Sequence, residues 1–286
     1  MWRHLTVISL LVMTVGCKPE TETAASAEVA PVRETADAPS PRAPVPGADG
    51  LTVLPAVAKG IAALPRLAGD TAATRVINAD LERMDAAVRQ AVRECLTDGG
   101  EYADWYRSVD APMTGPRFLS LTVLDELYCG GPHPDNVRMA VTYDNRSGKR
   151  VNWADLMPAP FVQPLEPMTD VFGTEFSVSK SPALLAWVRE RVSAVSAEDP
   201  EWWADCEDQY RYHDIGGVRF MLHIDAEHEA LAVETVGLPR VVMACGTMEY
   251  MSVAELERIG AAPELIEAIR TAHRAGAWRN NLGGKR

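Results

Sequence analysis

The chain has 286 residues, 47% of them hydrophobic and 24% charged, with a formal net charge of −12. Such a length and composition suit one well-cored domain, and the acidity argues against nucleic acid as a partner and favours cationic ones. The first sixteen residues carry +1 and the next thirty-four carry −3, so about −10 belongs to the segment that follows.

Met1-Trp2-Arg3-His4 supplies a positive start, and Leu5 to Val15 is an apolar run too short for a permanent membrane span. Residues 1–16 therefore read as an export signal. Thr14-Val15-Gly16-Cys17 resembles a lipoprotein cleavage site, with Cys17 as the lipidated residue that ties the chain to a membrane; the alternative is a secretory signal in which Cys17 is incidental. Lys18 after the cysteine matches sorting to the outer membrane, on the periplasmic face of the envelope. Residues 17–50 are rich in Ala, Pro, Glu and Thr without apolar periodicity, which is the composition of a disordered tether. The globular domain is expected over 51–286.

Ile77, Leu81, Met84, Val88, Val92 and Cys95 recur at helical steps and predict a helix from about Thr71 to Thr97, ended by Gly99-Gly100. Leu119, Leu121 and Val123 alternate, as do Met139, Val141 and Tyr143, so strands enter and leave the segment Tyr128 to Asn136. Asn145 to Gly148 is turn chemistry, with a return strand expected over Arg150–Trp153. Ser181-Pro182 caps a helix carrying Leu184, Leu185, Val188, Val192 and Val195, which Asp199-Pro200 closes. A second hairpin joins Phe220 to Ile224 with Leu231 and Val233, and two short helices open at Ser252 and Pro263. Hairpins and helices without strict alternation make the fold class α+β, an antiparallel sheet packed with a long N-terminal helix and further C-terminal helices.

Without Cys17, four cysteines remain: Cys95, Cys129, Cys206 and Cys245. In an exported chain an even number points to disulfides. Three pairings are open to them; proximity in the expected topology favours Cys95 with Cys129 and Cys206 with Cys245. No Cys-x-x-Cys spacing exists, so no metal is expected.

Tyr128-Cys-Gly-Gly-Pro-His-Pro-Asp-Asn136 is a shaped loop, since Gly permits positive φ while Pro fixes φ and removes a donor. Three segments together resemble one family: Leu64 to Gly69 ahead of the helix with Asn78, Tyr128-x-Gly-Gly-x-His133, and Tyr143-Asp144 with Gly148-Lys149 and Asp155-Leu156. The chain is similar over about residues 61–157 to the bacterial extracytoplasmic domain of unknown function found in the ectodomain of the anti-sigma factor RsiV and beside peptidoglycan deacetylase domains. Pro132 and Cys129 depart from its loop pattern, and no sigma-binding segment or deacetylase domain accompanies it, so sigma signalling is not implied. The resemblance implies an envelope domain that meets peptidoglycan, or a protein acting on it such as a lysozyme.

The candidate binding residues are Tyr128, Gly130, Gly131, His133, Asp135 and Asn136 in the loop, and Trp202 and Trp203 in an aromatic and acidic stretch that runs to Tyr212. His133 either meets a ligand or donates to a backbone carbonyl. The tryptophans either form a sugar platform or pack beside a disulfide at Cys206. His223 and His228, with Asp225 and Glu227, are expected on a solvated hairpin tip. Nucleophile elbows, phosphate loops and dinucleotide fingerprints are missing. The expectation is a lipid-anchored, non-enzymatic binding protein without cofactor, its partner peptidoglycan or a cationic periplasmic protein; a sugar-binding accessory module and a purely structural envelope lipoprotein are the alternatives.

Overall fold

In the computed structural model the described residues are 45–46, 50–169, 173, 175–195, 199–211, 218–238 and 240–283. The signal over 1–16, Cys17, nearly all of the tether and Tyr212 lie outside them. Among the described residues no helix is long and apolar enough to cross a membrane.

The elements run β1 (Val45–Pro46), β2 (Leu51–Val53), β3 (Arg66–Leu67), α1 (Ala72–Asp98), β4 (Asp104–Thr114), β5 (Phe118–Tyr128) and β6 (Asp135–Asp144). A 3-10 turn at Trp153–Asp155 leads to α2 (Ala159–Val162), β7 (Leu165–Thr169), β8 (Glu175–Ser179), α3 (Pro182–Val195) and α4 (Pro200–Arg211). Next come β9 (Arg219–Asp225), β10 (Ala230–Val236), a 3-10 segment Arg240–Cys245, β11 (Met248–Ser252), α5 (Val253–Ile259), α6 (Pro263–Ala275) and β12 (Arg279–Gly283). The strands form three antiparallel sheets, ordered β1-β2-β3, β12-β4-β5-β6 and β11-β10-β9-β8-β7. The class is α+β.

The predicted stripe of α1 is its buried face, and Thr71 caps the helix by accepting the Thr74 N–H at 3.0 Å. Ile77, Leu81 and Met84 pack on Leu119, Leu121, Val141 and Tyr143 of the four-stranded sheet. A second core fills the space between the five-stranded sheet and the helices, where Phe220, Leu222, Ile224, Leu231 and Val233 meet Leu184, Val188, Leu256, Leu265 and Ile269. Ser181 caps α3 through the Leu184 N–H at 3.0 Å, and Ser252 and Glu255 complete a capping box on α5.

Three expectations are corrected. Arg150–Trp153 is not a strand: Arg150 makes a single bridge to Tyr143, and the chain then turns so that Trp153 enters the core. Asp199-Pro200 opens a helix, because Asp199 Oδ1 accepts the Trp202 N–H at 3.0 Å and Pro200 needs no donor at the first helical position. His223 lies inside β9 and is 2% exposed, not at a solvated tip.

Strand β4 escapes the period-two reading because Arg107 occupies a buried position in the series Trp105, Arg107, Val109, Ala111, Met113. Asp125 on β5 makes that burial tolerable. Its carboxylate takes the Arg107 Nε and Nη2 donors at 2.8 Å each and the Trp105 Nε1–H at 2.7 Å. A buried ion pair of this kind is costly to break from one side.

Candidate functional site

The loop between β5 and β6 divides into a fastened base and an exposed tip. Cys129 is bonded to Cys95 near the end of α1, closing a 34-residue separation. Gly130 has φ of +84°, and a Cβ there would stand 2.8 Å from the carbonyl oxygen of Gly99. Gly99 has the reciprocal restriction, with the carbonyl carbon of Cys129 at 2.8 Å from a Cβ. Two backbones thus approach where only glycine fits. Tyr128 is half-buried beside this joint.

Gly131, Pro132, His133 and Pro134 are exposed. A Cβ on Gly131 would meet nothing nearer than His133 O at 3.8 Å. Among the described residues no hydrogen bond or ion pair holds the His133 ring, so the carbonyl-bonding role is not found. Asp135 Oδ1 accepts the Asn136 N–H at 2.9 Å, which shapes the start of β6.

Asp135 and Asn136 line a groove of about 840 Å³. One wall is the start of β6 with Leu124 and Glu126 of β5; the other is made by Met168, Thr169 and Phe176 of the β7–β8 hairpin and by residues 234–238, 243–244 and 246–248. Arg138 reaches from β6 to an ion pair with Glu234 on β10. Burial raises the Glu234 pKa from the ordinary carboxylate value, against the pull of Arg138. The lining holds three carboxylates (Glu126, Asp135 and Glu234) against the single guanidinium of Arg138. Apolar surface surrounds them: Met243 and Met248 are each 37% exposed, and the neighbouring Val241 is 92% exposed.

The aromatic stretch braces this groove from behind. Trp202 and Trp203 are half-buried and packed on the larger core. The Trp202 Nε1–H donates to the carbonyl of Ala244, a lining residue, at 3.0 Å. Trp203 stacks on Tyr210 at 6.5 Å between ring centroids, and the Tyr210 hydroxyl donates to the Cys245 carbonyl. Cys206 and Cys245 form the second disulfide and attach the 3-10 segment to α4. Each predicted cluster therefore secures one wall, and each disulfide has the partner favoured by topology. Two such bonds match a non-cytoplasmic compartment.

The histidine pair divides likewise. His223 Nδ1 is buried without a partner, and burial lowers its pKa to about 4, with Arg138 adding to the depression and Asp225 opposing it. Asp225 accepts the His228 N–H at 3.0 Å and lies 3.0 Å from its Nδ1. Tyr250 stacks on His228 at 3.9 Å between centroids, and burial followed by Asp225 pushes its pKa up to about 12. Among the described residues no group of three or more His, Cys, Asp or Glu side chains is placed to hold a metal ion.

The segments that carry the family resemblance hold α1 in place. Asn78 accepts the Leu67 N–H at 2.8 Å and donates to its carbonyl at 2.9 Å. The Tyr143 hydroxyl and Arg150 Nε both donate to Asp80 Oδ2, at 2.8 and 2.7 Å. Burial tends to raise the Asp80 pKa, but the bonds from Arg150 and Tyr143 outweigh it and hold the carboxyl below its usual value. Gly148, at φ +74°, lies against α1, and a Cβ there would stand 2.7 Å from Ala73 O.

Sequence reasoning missed Glu126, Arg138, Glu234, Met243 and Met248. They come from distant segments and share no spacing; the apolar run Val241-Val242-Met243 on a surface segment is the one local signal.

No family model and no curated protein matches the chain. Among solved structures, a DUF3298 family protein from Pseudomonas aeruginosa PAO1 is similar, with a TM-score of 0.38 and 15% identity over 60% of this chain and 68% of that one.

Proposed function

We propose that this chain is a non-enzymatic binding protein of the bacterial cell envelope, held to the membrane by a lipid on Cys17, that presents its groove to a cationic partner. The observation that carries the reading is the lining itself: about 840 Å³ between two braced walls, with three carboxylates against one guanidinium amid exposed methionines. Pockets of this size with a few placed polar groups are the usual form of a recognition site. The acidity of the whole chain adds long-range attraction for a basic protein. The RsiV-like segments support a partner that works on peptidoglycan, for which a lysozyme is the model.

The test is calorimetric titration of the oxidised full chain with a cationic lysozyme and, separately, with soluble muropeptides. Binding of lysozyme that weakens with salt and is lost in a Glu126→Lys variant is the expected result. Binding of muropeptides alone transfers the reading to a sugar-binding module, and binding of neither favours a structural envelope lipoprotein.

A further inference from the structure

Among the described residues, the edge of β6 is covered along most of its length and bare where it meets the groove. Asp144 N–H donates to Lys149 O at 2.9 Å, Thr142 O accepts the Val151 N–H at 2.7 Å, and Ala140 N–H donates to Met221 Sδ at 3.0 Å. These groups all point away from β5. The register between β5 and β6 runs from Phe118↔Asp144 to Leu127↔Asp135 without a bulge. Alternation along an uninterrupted antiparallel strand then turns the N–H and C=O of Arg138 and the C=O of Asn136 outward as well. Among the described residues they have no partner, while the Asn136 N–H is taken by Asp135. Asn136 and Arg138 are groove-lining residues.

Unpaired strand edges are templates for another strand, and folded proteins usually cover or blunt them. Here Met221 and the Lys149–Val151 turn cover the distal part, and the groove occupies the place of a cover at the proximal part. We infer that an extended segment of a partner protein, alternating basic and apolar residues, adds to β6 at Asn136–Arg138 as a further strand of the four-stranded sheet. Side chains of a strand alternate between faces, and the register sets Glu126, Asn136 and Arg138 on one face and Asp135 and Val137 on the other, so one set meets Glu126 and the Arg138–Glu234 pair while the other runs beside Val137. Charge complementarity selects this occupant over an acidic or purely apolar one. The inference rests on the groove reading and specifies how the groove is filled.

The probe is a capped eight-residue peptide of alternating lysine and valine, titrated by fluorescence anisotropy against the oxidised full chain. Two further versions carry N-methyl groups on all valines or on all lysines, and a fourth replaces lysine by glutamate. Strand addition uses backbone donors of one parity, so one methylated version loses at least about tenfold in affinity and the other stays within about twofold, while the glutamate peptide does not bind. Binding also slows hydrogen exchange of the Arg138 amide. If both methylated versions bind equally well or equally poorly, or the Arg138 amide is unchanged, strand addition is wrong although a cationic ligand still enters the groove. If the unmodified peptide fails while lysozyme binds, strand addition is wrong and the cationic-partner reading stands. If neither binds, both readings fall.

Discussion

The loop from Tyr128 to Asn136 and the groove beside it differ in how conspicuous their chemistry is. The loop concentrates two glycines, two prolines, a cysteine and a histidine in nine residues, yet Cys129 and Gly130 are a joint to α1, and the exposed His133 ring has no hydrogen bond or ion pair among the described residues. The groove is assembled from ordinary residues of separate segments, yet it holds the paired charge Arg138–Glu234, exposed methionines and a strand edge that no described residue covers. Unusual composition marks where backbone geometry is demanding. A binding surface instead needs several elements to be braced against one another, and here both disulfides serve that bracing.

If the base of the hairpin is the rigid side of this contrast, Asp125→Ala gives the largest loss. It removes the carboxylate that pairs with the buried Arg107 guanidinium and accepts from Trp105, so denaturant titration should show a loss of about 3–5 kcal/mol. A loss under about 1 kcal/mol would mean that the network does not hold the hairpin.

Acid acts on the floor of the five-stranded sheet. His223 has a folded-state pKa near 4 against an ordinary value of 6.5, so the folded state keeps the ring neutral while the unfolded chain takes up a proton. Its contribution is therefore intact above about pH 6.5 and is lost as pH falls toward 4, by about 3 kcal/mol in all. A His223→Met variant should show a flatter stability profile across that window. An unchanged profile would show that the ring is hydrated in the folded protein.

The two glycines of the loop sharpen the contrast within a single dipeptide. Gly130→Ala meets both positive φ and the Gly99 carbonyl, and should cost about 1–3 kcal/mol by thermal or chemical unfolding. Gly131→Ala has open space and should fall within about 0.5 kcal/mol of the parent. Equal costs would remove the distinction between base and tip. The smallest effect is expected for His133→Ala, again within about 0.5 kcal/mol, since no hydrogen bond is lost.

Much of this fold was legible in the sequence where periodicity was unbroken. The stripe Ile77 to Cys95 and the alternation around Leu121 and Val141 correspond to α1, β5 and β6. Strand β4 was hidden by Arg107, whose burial depends on a carboxylate 18 residues away. Asp199-Pro200 was misread because the same two residues can follow one helix and begin another, and here they cap α4. Asp135 and Asn136 were the part of the site visible in advance, since they border the shaped loop. Arg138 and Glu234 were not, because their pairing exists only once β6 faces β10, across 95 intervening positions of chain.

The central claim, that the groove binds and the loop tip does not, is tested most directly by titrating a cationic lysozyme against three full-length proteins in parallel: the parent, His133→Ala and Glu126→Lys. The account predicts that His133→Ala binds within about twofold of the parent and that Glu126→Lys is weakened at least about tenfold, with both variants folded. Loss of binding in His133→Ala with retention in Glu126→Lys would contradict it and return the site to the loop.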